Sequence, residues 1–162
     1  MTSYNLMTYY TIYTSTPKEK MTIEMLRDIT LSSQKNNPAN GVTGILLGIE
    51  NKFLQYLEGP EESVVTLFGK IWKDPRHHQV TQWVKGFSKD RIFENWSMGS
   101  WMLTNDELKQ IPALSDLKNF LDDPLNSELK SAKFMTMMND LLKTWIAHEP
   151  ERLKKMRDEL SS

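Results

Sequence analysis

The chain has no cysteine among its 162 residues. That removes disulfides, thiolate metal sites and thiol nucleophiles, and it fits a reducing compartment. There is no apolar run long enough to span a bilayer, and Met1-Thr2-Ser3-Tyr4 lacks the charged-then-apolar layout of a secretory signal. A cytoplasmic protein is therefore expected. Charge of one sign is also missing. With 20 basic and 21 acidic residues and no Lys/Arg block, nothing resembles a nucleic-acid or membrane-surface footprint. The three histidines, His77, His78 and His148, lack the spacing and accompanying carboxylates of a metal site, so no metal is expected.

What is present divides in two. Up to about residue 102 the chain alternates strand-like and helical stretches; from about Thr104 strand formers give way to Leu, Lys, Asp and Met at helical spacing. The expected division is one globular domain at 1–102 and a helical extension at 103–162. Asn5 to Thr14 reads as a first strand ending in a turn at Ser15-Thr16-Pro17. Thr22 is placed to cap a helix carrying Ile23, Leu26, Ile29 and Leu31, which Pro38 should stop after Asn36-Asn37. Val42–Ile49 and Phe53–Leu57 read as a hairpin, and Gly59-Pro60 opens a second helix with Val64, Val65, Leu67, Phe68, Ile71 and Trp72 as its apolar face. Val80–Phe87 and Ile92–Met102 complete the pattern. The order β-α-β-β-α-β-β predicts an α+β, ferredoxin-like sandwich with two helices on one face of the sheet.

In the extension, Leu129, Ala132, Met135, Met138, Leu141, Leu142 and Trp145 fall on one face of a long helix. Such a face has to be buried, either against the open face of the sheet or against another chain. Glu149 to Leu160 reads as a short last helix.

One polar residue stands out in the hairpin. Gln55 lies in an apolar strand, FLQYLEG, and a primary amide buried without hydrogen bonds costs a few kcal/mol. It must either point outward or meet groups that both donate and accept. Asn36 and Asn37 at the helix end read as capping or turn residues. Tyr9, Tyr10 and Tyr13 are equivalent by composition, since strand aromatics mostly pack.

Several motifs match one family in order and spacing: Tyr13-Thr14-Ser15, SSQKNNPANGVTG at 32–44, FLQYLEG at 53–59, DPRHH at 74–78 and FENWSMG at 93–99. Over roughly residues 4–101 the chain resembles the BLUF blue-light sensors, and its helical tail resembles the short, stand-alone members of the PixD type. The resemblance implies a flavin between the two helices, usually FAD, with FMN or riboflavin as other occupants. The absence of cysteine fits this, because it excludes signalling through a cysteinyl flavin adduct. The resemblance assigns photoactive roles to Tyr13 and Gln55: light drives electron and proton transfer from the tyrosine, and the glutamine's hydrogen bonds rearrange. It makes Asn37 and Asn36 contacts of the ring's polar edge, presses Ile29 and Ile71 on its faces, and gives Arg76 and His77 the flavin's side chain or phosphates. Trp96 and Met98, two apart on the expected last strand, become signalling candidates. No catalytic residue is implied. The expectation is a non-enzymatic, homo-oligomeric photoreceptor acting through a separate, response-regulator-like protein; the alternative is a flavin-free interaction or scaffold module of the same fold.

Overall fold

In a computed structural model of the chain, the described residues are 7–94 and 98–110, with 119–121, 123, 136–137, 139–140 and 143. The chain forms two compact units, Met1–Asn105 and Asp106–Ser162. The first contains β1 (Thr8–Pro17), α1 (Ile23–Asn40), β2 (Thr43–Ile49), β3 (Lys52–Gly59), α2 (Glu61–Trp72), β4 (His77–Ser88) and β5 (Gly99–Leu103). These strands make one mixed sheet in the order β4-β1-β3-β2-β5, antiparallel except for the parallel β2–β5 pair. The architecture is the α+β, ferredoxin-like sandwich that the element order predicts.

Local chemistry sets the helix ends. Thr22 Oγ1 accepts the Met25 N–H at 3.1 Å, which satisfies one orphan donor at the start of α1, and Glu24 complements the dipole in its first turn. Pro38 does not stop α1. It sits inside the last turn, where the helix loses one donor but continues to Asn40. The stop is Gly41, left-handed at φ 69°, a conformation that glycine adopts without the Cβ penalty. β1 likewise runs through the expected turn at Ser15-Thr16-Pro17, because register shifts against β4 carry the pairing on to Pro17 opposite His77.

Each helix buries a narrower stripe than its apolar residues suggest. On α2, Val64 is fully buried and Leu67, Phe68 and Ile71 pack against the core, whereas Val65 and Trp72 are exposed. Val65 follows Val64 and is turned about 100° away from it, so the two cannot share a face. On α1, Leu31 is likewise turned about 100° from buried Thr30 and is exposed, as is Ile23 at the helix start, while Leu26 is buried. Between sheet and helices lies a core of Tyr9, Tyr13, Leu46, Phe53 and Leu57 with Leu26 and Val64. Alternate strand residues, among them Ile12, Ile45, Leu47, Leu54 and Tyr56, are buried on the other side of the sheet.

The last strand is shorter than expected. It spans Gly99–Leu103 only, so Met98 precedes it and Ile92 to Glu94 are off the ladder. Trp96 lies outside the described residues. α3 covers Asn105–Gln110, and in the second unit Phe120, Leu121 and Met137 are buried. The residues expected to form the apolar stripe at 129–145 and the last helix at 149–160 lie outside the described residues. No described helix is long and apolar enough to cross a membrane.

Candidate functional site

A cavity of about 300 Å³ opens between α1 and α2, within the size range of small-molecule sites. From the sheet, Tyr13 and Ser15 of β1, Leu46 of β2, and Phe53 and Gln55 of β3 line it. Ile29 and Ile71 enter from α1 and α2, with Asn36 and Asn37 at the C-terminal end of α1. Arg76 and His77 stand where α2 hands over to β4. Residues drawn from four of the five motifs are thus gathered around one space; Met98, of the fifth, does not line it.

Its centre is an amide held on both sides. Gln55 is opposite Tyr13 in the β1–β3 register and only 3% exposed. The Tyr13 hydroxyl donates to Gln55 Oε1, and Gln55 Nε2 reaches Met98 Sδ at 3.4 Å. Burial pushes the Tyr13 phenol far above its ordinary pKa, and the Asp74 carboxylate adds to the shift. The phenol therefore keeps its proton and acts as a donor. Of the three tyrosines of β1, only Tyr13 lines the cavity; Tyr9 packs edge-on to Phe87 and Tyr10 stacks on Tyr56.

At the mouth, charge is tied up within the chain. Asp74 accepts from Arg76 through both oxygens, with Nη2 to Oδ2 at 2.6 Å, and the guanidinium holds the Asp74 carboxyl below the usual carboxylate range. His77 Nδ1 is 2.9 Å from Ser15 Oγ and its Nε2 is 2.5 Å from the Ile71 carbonyl. Since a carbonyl only accepts, Nε2 carries the proton. A phosphate at this mouth would compete with Asp74 for the Arg76 fork.

Sequence reasoning missed several lining residues. Met25, Ser32 and Ser33 lie one helical turn before Ile29, Asn36 and Asn37 and were findable by i, i+4 spacing from them; Lys70, near the end of α2, carried no such signal. Among the described residues no group of His, Cys, Asp or Glu could hold a metal.

The residues fit a planar, partly polar ring: aliphatic side chains from two helices for its faces, carboxamides for a donor–acceptor edge, and cations at the opening. Comparison with known proteins agrees. The family profile described as "Sensors of blue-light using FAD" matches residues 8–99. The chain is 33% identical over 93 residues to the photoactivated adenylate cyclase subunit beta of Euglena gracilis, covering 57% of this chain and 11% of that protein. It is 32% identical over 82 residues to the blue light- and temperature-regulated antirepressor BluF of Escherichia coli, covering 51% of this chain and 20% of that protein. The matched stretch thus spans only about a tenth to a fifth of these curated relatives. The dark-state structure of the BLUF protein BlrB superposes with a TM-score of 0.69 at 25% identity, over 85% of this chain and 96% of that one. The chain belongs to the BLUF family, blue-light sensors that use FAD in signal transduction.

Proposed function

We propose that Tyr13 and Gln55 are the light switch of this sensor and that Met98 and Trp96 carry its state onward. The observation that supports this reading is the continuous, buried Tyr13–Gln55–Met98 chain, whose first two members line the cavity. Bound there, FAD supplies the blue-light absorption and an excited-state oxidant. Ile29 and Ile71 would hold the ring's faces, and Asn36 and Asn37 its polar edge. Arg76, His77 and Lys70 would serve the side chain and phosphates.

Within the chain, the chemistry is a matter of one proton and one amide. Tyr13 holds its proton on the hydroxyl that faces Gln55 Oε1. Gln55 carries a donor and an acceptor on the same head, so rotation or tautomerism exchanges what Tyr13 and Met98 each meet. The backbone need not move for the site to hold two states.

The chain acts as a receptor without catalysis of its own: residues 1–102 sense, and 103–162 serve output and oligomerisation. It works in the cytoplasm as a homo-oligomer and signals to a separate protein of the response-regulator kind. The test is the visible spectrum of the purified protein in darkness and just after a blue flash. A flavin spectrum that shifts to the red and recovers in the dark supports the reading. Bound flavin without a shift would discard the switch, and a colourless protein that takes up no flavin would favour a scaffold.

A further inference from the structure

A second buried polar residue on β3 is not used by the switch. Glu58 is fully buried, and all its hydrogen-bond partners donate. Oε2 accepts from the Ile92 N–H at 2.9 Å and the Tyr56 hydroxyl at 2.9 Å; Oε1 accepts from the Phe93 N–H at 2.5 Å and the Thr43 hydroxyl at 3.3 Å. Four donors suit an ionised carboxylate, which offers only acceptors. Burial pushes the carboxyl pKa up, and these hydrogen bonds pull it back.

Ile92 and Phe93 begin the stretch that ends at Met98, where Gln55 makes its second contact. Met98 is also held through its carbonyl, which accepts from Gln34 Nε2 of α1 at 3.0 Å. Glu58 and Gln55 are three apart on one strand, so their side chains leave opposite faces of the sheet. β3 therefore grips both ends of this stretch, one by a fixed carboxylate and one by an amide with two possible orientations.

We propose that Glu58 is a positioning residue for output: it pins the chain at Ile92–Phe93 so that a rearrangement of Gln55 is delivered at Met98 and β5 instead of being absorbed by the stretch as a whole. This rests on the Tyr13–Gln55 reading. An unpinned stretch could follow Met98 as one body, and the change would dissipate before reaching the ladder with β2. With Ile92 and Phe93 pinned, the change is taken up at Met98.

The experiment uses the full chain with bound FAD and compares the unsubstituted protein with Glu58→Gln. That variant keeps the shape but turns an NH2 group toward fixed donors. Two readouts are taken: the red shift after a blue flash, and light-minus-dark amide exchange followed by mass spectrometry over residues 92–103. Glu58→Gln should keep flavin and red shift, exchange faster at 92–93 in darkness, and lose most of the light-dependent difference at 98–103. A full difference at 98–103 would overturn the proposal, as would loss of the red shift, which would place Glu58 in the photochemistry. If Glu58→Gln does not fold, Tyr56→Phe removes one of the four donors and should give a smaller loss in the same readout; no loss would overturn the proposal. A missing red shift in the unsubstituted protein is a separate failure, that of the switch itself, and this inference would fall with it.

Discussion

Tyr13 and Gln55 face each other across the β1–β3 pair, and the phenol donates to the amide oxygen inside the core. The pairing requires both strands in this register. A slip of one residue on either would turn its side chain to the other face of the sheet.

Removing that hydroxyl separates binding from switching. Tyr13→Phe preserves the ring's packing against Phe68, so the protein should still bind FAD. Its light-induced red shift should be lost. A variant that keeps a reversible shift would show that another group supplies the electron and proton.

The cations at the mouth make a prediction about ligand choice. Arg76→Ala should weaken FAD and FMN while leaving riboflavin affinity about unchanged, because only the first two carry phosphate. Titrating the apoprotein with the three flavins distinguishes the cases. Equal losses for all three would assign Arg76 to shaping the cavity.

Asp74 gives a pH signature. A carboxyl whose pKa is lowered on folding contributes stability that is present above its unfolded value, about 3.9, and is lost as the pH falls through the folded value. Asp74→Asn lacks that contribution at every pH. Urea midpoints of the two proteins should therefore differ near neutrality and converge below about pH 4. A gap that persists in acid would mean the variant is weakened by packing instead of charge.

Gly44 tests the hairpin that carries Gln55. A Cβ built there would lie 2.0 Å from the Tyr56 carbonyl oxygen, a backbone atom that cannot step aside. Gly44→Ala should cost upwards of about 3 kcal/mol, beyond ordinary overpacking, or abolish folding. Thermal unfolding reads this directly, and a small change would mean that the strands can separate locally.

Much of this was legible in the sequence, for a physical reason. The hairpin and both helices carry strong periodicity, and the site residues sit at element ends or as polar interruptions of apolar strands. One misreading was local: Pro38 looks like a stop, but Gly41, three residues on, supplies the left-handed end. In two others distant partners overrode local signals. Ser15-Thr16-Pro17 looks like a turn until His77 and His78 pair with it. Ile92 and Phe93 look like strand, but their N–H groups are claimed by Glu58, which is 34 and 35 residues earlier in the chain. Glu58 carried the same clue as Gln55, a polar residue in FLQYLEG, and the same reasoning about buried polar groups applies to it.

The placement of β5 has a thermodynamic consequence. It is a five-residue strand at the end of the sheet order, paired only with β2 and in parallel, whereas β1 and β3 each have neighbours on both sides. Dislodging it breaks one ladder instead of two, so its local opening free energy should be among the lowest in the sheet. Exchanging hydrogen bonds on a single amide releases little energy. If the proposed switch ends beside Met98, its perturbation meets an edge strand that little energy can shift, while the doubly paired strands β1 and β3 stay a rigid frame.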